Sequence, residues 1–87
     1  MRNLRLPDPQ LKIRKMRSRW GSCSRNAVIT LNLELIRMPM DCIDYVATHE
    51  LCHLVEFNHS ARFYELQSIF LPDWKERKRL LEELARR

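Results

Sequence analysis

Five consecutive residues, His49-Glu50-Leu51-Cys52-His53, followed by His59, constrain this chain more than anything else in it. On an α-helix, side chains four residues apart lie one above the other on a single face. A helix here would aim the imidazoles of His49 and His53 at one ion. Glu50 lies one position round, close enough to reach a metal-activated water without being a ligand itself. Two helical ligands, a general base between them and a position left for water make the arrangement of zinc hydrolases. The pattern alone fixes only three positions. Its place inside a strongly apolar helical stretch, with a third histidine nearby, argues for a metal site.

The 87 residues make one domain, 1–87, near the lower end of what a single core supports unaided. With 45% hydrophobic and 31% charged residues the chain is globular rather than disordered. A bound metal would add stability that so small a core needs. The net charge of +5 is unevenly spread: between Arg2 and Arg25 stand eight basic residues and one acid, Asp8. Arg14, Lys15, Arg17, Arg19 and Arg25 are thus candidates for gripping an anionic partner, whether nucleotide, nucleic acid or acidic peptide. A basic surface also serves solubility alone.

No stretch approaches the ~20 apolar residues of a membrane span, and the first residues lack the apolar core of a signal peptide. Cys23, Cys42 and Cys52 are odd in number and form no C-x-x-C pair, which implies free thiols and a reducing cytoplasm. Cys52 points off the metal face and reads as a small buried hydrophobe.

Residues 1–11, with Pro7 and Pro9 and no period, read as an extended arm. Lys12 to Trp20 alternates weakly, and Ala27–Leu33 is a better strand. The segment Gly21–Asn26 between them holds the only glycine, which implies a backbone conformation that nothing else accepts. Together they predict two antiparallel strands joined by a turn, with Trp20 and Cys23 as packing residues or, in the functional alternative, the turn as a border of the substrate cleft. Asp41–Phe57 is the strongest helix, with Asp41 as cap, Asp44 at its positive end, and Met40 and Tyr45 at the spacing of a hydrophobic staple. Ile43, Val46, Ala47, Leu51, Leu54 and Val55 form its apolar face, beside a stripe of Tyr45, His49, His53 and Glu56. Ser60 can cap a second helix to Phe70, with Phe63, Leu66, Gln67 and Phe70 on one side. Trp74–Arg86 is a third, with Leu80, Leu81 and Leu84 inward. The class is α+β: a minimal domain with a short antiparallel hairpin followed by three helices.

An unbroken helix would rotate His59 about 240° from His53, away from the metal. The chain must therefore turn between Leu54 and Asn58. Asn58 is placed to do this in the left-handed region, leaving His59 in the elbow before Ser60. Glu65 or Glu76 is the replacement ligand if His59 fails.

The spacing of the three histidines matches the metzincin proteases, but their glycine is Glu56 here, and no methionine follows Met40. Other segments resemble the YgjP-like metal-dependent hydrolases, relatives of the SprT-like zincins. They are R-W-G-S-C-S at 19–24, I-T-L-N at 29–32, Tyr45-Val46 before H-E-L-C-H-L, N-H-S-A-R-F at 58–63 and L-P-D-W-K-E-R at 71–77. The likeness covers residues 14–80 and corresponds to the catalytic C-terminal half of usually longer proteins with a β-rich segment upstream. It implies a zincin-like fold, His49, His53 and His59 as ligands of one zinc ion, and Glu50 as catalytic base.

A tetrahedral intermediate needs a second positive or donating group, for which Tyr45, Tyr64, Arg62 and the Arg14–Arg25 arm are candidates. The leading reading is a zinc-dependent hydrolase of the metallopeptidase type acting on peptide or protein. Two others stay open: metal-dependent hydrolysis of a nucleotide phosphoanhydride, and a non-enzymatic nucleic-acid-binding metal domain. An intact Glu50 argues against the last, because a purely structural site has no use for a base.

Overall fold

The computed structural model describes residues 8–86. Strands β1 (Gln10–Arg14), β2 (Gly21–Cys23) and β3 (Val28–Asn32) precede a short 3-10 helix (Leu33–Arg37) and three α-helices. These are α1 (Met40–Cys52), α2 (Ala61–Phe70) and α3 (Trp74–Ala85). The α+β class and the succession of hairpin and three helices are as expected. Most of the expected arm lies outside the described residues, and its last part, Gln10 and Leu11, belongs to β1.

The sheet differs from the two-stranded reading. Its order is β1-β3-β2, and the antiparallel partner of β3 is Gly21–Cys23, with Gly21 opposite Leu31 and Cys23 opposite Ile29. The weakly alternating segment before it pairs parallel to β3 on the other side, from Gln10 opposite Val28 to Arg14 opposite Asn32. A parallel pair needs a crossover between its strands; here the chain spans Lys15 to Cys23 and the turn before it joins β3. Asn32 fastens the crossover. Its Nδ2 donates to the carbonyls of Met16 (3.1 Å) and Arg19 (2.7 Å), while its Oδ1 accepts from the Glu34 amide (3.0 Å) and caps the 3-10 helix.

The hairpin turn closes through Ala27 N to Ser24 O at 3.0 Å. Its left-handed residue is Ala27, at φ 62°, and not the glycine. Gly21 is required for a different reason. A Cβ there would stand 3.0 Å from Val46 Cγ1 and 3.1 Å from Glu50 Cγ, so the backbone of β2 lies directly on α1.

Met40 is already helical, so Pro39 and not Asp41 is the N-cap of α1, and no side chain caps it. Asp41 and Asp44 turn instead toward Arg77 of α3, both at 3.7 Å, while Asp73 holds the same guanidinium at 2.8 Å. Met40 is exposed and staples nothing. The buried side of α1 is Cys42, Tyr45, Val46, Glu50 and Cys52, whereas Leu51 and Val55 are exposed. The apolar face is rotated from the expected one because the sheet and α3 together cover the Tyr45–Val46 side.

The core joins Ile29, Leu31, Leu35, Cys42, Tyr45, Val46, Trp74 and Leu81, with Trp20, Cys23, Leu80 and Leu84 packed against it. Phe70, expected on the same side of α2 as the buried Phe63 and Gln67, is exposed. Cys23, Cys42 and Cys52 are free thiols. Among the described residues no helix is long and apolar enough to cross a membrane.

Asn32→Ala should destabilise the domain by roughly 2–3 kcal/mol, because it leaves carbonyls and an amide of the crossover without their partner. Urea denaturation checks this. A loss below about 0.5 kcal/mol would show that the crossover is held by other means.

Candidate metal centre

Helix α1 ends at Cys52, and the next amides bond three residues back: Leu54 N to Leu51 O and Val55 N to Cys52 O, both 3.0 Å. This tightened last turn starts the break ahead of the Leu54–Asn58 window. Asn58 does not make the turn, since Ala27 alone among the described non-glycine residues has positive φ. An irregular segment then leads to Ser60, whose hydroxyl accepts from Phe63 N at 3.4 Å and caps α2 as expected. His59 is thereby folded back over α1.

The three imidazoles converge. Each of His49, His53 and His59 offers a nitrogen, all within 4.8 Å of one another, and the Nε2 atoms of His49 and His59 stand 3.2 Å apart. Phe63, fully buried, packs against all three rings with centroids 4.6–4.9 Å away and so limits their rotation. His49 Nδ1 donates to Gln67 Oε1 at 2.8 Å, and His53 Nδ1 to the carbonyl of Glu56 at 3.3 Å. Both bonds place the proton on Nδ1 and leave Nε2 as a lone pair facing the shared centre.

Burial pushes His49 down to about 4, against the opposing Gln67 bond and with help from the neighbouring histidines and Lys78. His53 is lowered for the same first reason, burial. Neutral imidazoles are what a divalent cation requires. Glu50 is pushed the other way, up to about 7, by burial beneath β2, with Arg19 drawing it back. A neutral donor set beside a carboxyl that titrates near neutrality can bind a metal and exchange a proton at one place.

A cleft of about 370 Å³ opens over this cluster. Arg19, Gly21, Ser22 and Cys23 form one wall, and His49, Glu50, His53, Phe57 and His59 the other. Of the basic candidates only Arg19 lines it, while Arg25 reaches its rim by lying 4.6 Å over the Phe57 ring. Arg14, Lys15 and Arg17 do not line it: Arg14 ends β1, the far edge of the sheet with β3 between, and Lys15 and Arg17 lie in the crossover that follows. Arg62 is exposed and faces Glu56 at 3.7 Å, outside the cleft. Tyr64 stacks between His59 (6.1 Å) and Trp74 (5.4 Å) and lines a separate groove with Lys75 and Lys78. Tyr45 lines a cavity adjoining Glu50. Sequence reasoning placed Phe63 and Gln67 on one side of the second helix but gave them no part in the site. The available signal was an amide on the inward side of α2, since a buried polar group needs a partner.

Two outcomes follow from this geometry. Gln67→Leu should keep the fold and weaken metal binding about 10–100-fold, as loss of such outer partners does elsewhere; competition with a chromophoric chelator measures it, and unchanged affinity would remove Gln67 from the site. The second concerns Glu50 in chelated protein. Its folded value lies above its ordinary 4.5, so the stability it contributes is full below about 4.5 and lost as pH rises through about 7. His49 runs the opposite way, contributing above 6.5 and losing it as pH falls through about 4. Glu50→Gln should therefore stabilise the chelated protein at pH 8 by about 2–3 kcal/mol and make no difference at pH 4. Thermal denaturation at the two pH values decides, and an equal effect at both would contradict the buried carboxyl.

A family model described as YgjP-like, metallopeptidase domain, matches residues 1–84. Among solved structures, the metallopeptidase zymogen of Pyrococcus abyssi abylysin superposes with a TM-score of 0.76 at 24% identity. The match covers 91% of this chain and 81% of that one, a likeness of fold. No curated protein matches the chain. With a family match running almost end to end over an α+β domain whose first helix carries the histidine cluster, the chain belongs to the YgjP-like metallopeptidase domain family.

Proposed function

We propose that the domain is a zinc-dependent peptidase in which His49, His53 and His59 hold one ion and Glu50 is the general base. The observation that carries this reading is the 3.2 Å separation of His49 and His59 Nε2 beside a buried carboxyl. Ligands at about 2.0–2.1 Å in a tetrahedron stand roughly 3.4 Å from each other, so the nitrogens are already near the spacing that zinc requires. Three imidazoles without thiolate or carboxylate are a donor set suited to zinc. Bound there, the cation supplies the Lewis acid that polarises a carbonyl and lowers the pKa of a water.

The protein residues divide the rest of the work. Glu50, buried at the cleft beside His49, accepts the proton of the attacking water and returns it to the leaving nitrogen. Arg19 lines the same cleft, and its charge is felt at Glu50, which makes it the candidate to balance negative charge developing at the carbonyl. β2 is an edge strand that forms the other wall, so an extended peptide can lie along its free side and be held by main-chain hydrogen bonds. This favours a peptide over a nucleotide or nucleic acid, because Arg14, Lys15 and Arg17 stand away from the cleft. Three free thiols suit a reducing compartment, and the cytoplasm is the proposed location.

His49→Ala and His53→Ala should each strip the metal and lower the melting temperature, read by elemental analysis and calorimetry. Glu50→Gln should keep one ion per chain and lose at least ~100-fold in peptide turnover. Wild-type turnover by that variant would exclude Glu50 as the base, and loss of its metal would make Glu50 a ligand instead.

A further inference from the structure

A second cavity, of about 240 Å³, adjoins the metal cleft and shares Arg19, Gly21, His49 and Glu50 with it. Its remaining walls are Trp20, Tyr45, Val46 and Leu81. These come from three parts of the chain: the segment before β2, helix α1 and helix α3. Tyr45, Val46 and Leu81 belong to the core and Trp20 packs against it, so the walls are fixed before any ligand arrives. The cavity is a recess open to solvent, larger than the roughly 150 Å³ cavity that takes up benzene, so a side chain can enter it from outside. Gly21 borders both this recess and the cleft, and its backbone lies so close on α1 that a Cβ there would stand 3.0 Å from Val46 and 3.1 Å from Glu50.

We propose that the cavity walled by Trp20, Tyr45, Val46 and Leu81 is the specificity pocket of the cleft, receiving an aliphatic or aromatic side chain of one residue flanking the cleaved bond. The inference rests on the peptidase reading and adds its substrate class. The four private walls are two aromatic rings and two aliphatic side chains, with no carboxylate to receive a lysine or arginine. Burial holds the Tyr45 hydroxyl protonated, up to about 12, so it adds no charge. Charged groups occur only on the wall shared with the cleft, where Glu50 is committed to proton transfer and Arg19 faces it. Burying a leucine or phenylalanine side chain there contributes about 1.5–3 kcal/mol over glycine, roughly ten- to hundredfold in selectivity.

The test has a binding arm and a cleavage arm. N-acetyl amides of leucine, phenylalanine, glycine, aspartate and lysine are titrated into the metal-loaded protein while the nitrogen–proton NMR signals of the Trp20 indole and the Val46 and Leu81 amides are followed. Leucine and phenylalanine amides should shift all three, glycine and lysine amides none, and Leu81→Phe should abolish the response by filling the pocket. The ligand series needs no variant, so the comparison stands even if Leu81→Phe does not fold. In the second arm, cleavage sites in a mixture of unfolded proteins should show leucine and phenylalanine enriched at least about tenfold over glycine at one flanking position. Shifts indifferent to side chain, a response led by the aspartate amide, or a flat profile from an active enzyme would each overturn the pocket. Absence of any cleavage alongside leucine-induced shifts would remove the peptidase reading and leave the pocket standing.

Discussion

The approach of β2 to α1 at Gly21 sets the terms for the rest of the molecule. Backbone lies within van der Waals reach of Glu50 and Val46, closer than any side chain at position 21 would permit. That contact removes water from Glu50 and pushes its carboxyl up to about 7. The same contact makes β2 one wall of the cleft and puts its free edge beside the histidines. Asn32, at the end of the neighbouring strand β3, maintains it, because the carbonyls it clasps, Met16 and Arg19, belong to the segment that delivers Gly21. The asparagine of the I-T-L-N segment and the glycine of R-W-G-S-C-S are thus two ends of one device.

The second constraint is the end of α1. An α-helix continued to His59 would carry that ring to the wrong side, so the site exists only because the last turn tightens after Cys52. Phe63 and Gln67 then meet the histidines from α2. Placing the site between two helices makes it depend on their packing. Trp74 Nε1 donates to Ser68 at 2.9 Å, and Arg77 gathers Asp41, Asp44 and Asp73, so α3 secures both α1 and α2.

What the sequence made legible is what period and spacing encode. His49, Glu50 and His53 needed only a helix to come together, and the need for a break before His59 followed from geometry. The manner of the break did not, because a shift from i−4 to i−3 bonding leaves no residue signature, and Asn58 offered a conformation the chain does not use. The parallel pairing of β1 was hidden for a related reason. Alternation announces a strand but not its partner, and a hairpin is only the shortest way to pair two neighbours. The glycine was noticed as singular and misassigned, since a lone glycine signals either unusual φ or close approach, and only packing tells which. Basic residues misled most. Charge density along the chain pointed to Arg14, Lys15, Arg17, Arg19 and Arg25 together, but of these only Arg19 lines the cleft, and strand order puts Arg14 on the far edge of the sheet.

Local stability and function pull in opposite directions at this site. A half-buried imidazole at His49 that resists protonation and a desolvated carboxyl at Glu50 both mark a cluster held out of water at a cost to folding. In so small a domain such costs are a large share of the margin. A cation at the centre would offset that cost, replacing the His59–His49 contact by ligation and favouring ionised Glu50. Folding and metal affinity would then be linked through one cluster, and substitutions that relax it would lower affinity as they raise metal-free stability. Gly21 stands where that exchange is set, because the depth of Glu50's burial follows from how closely β2 lies on the helix.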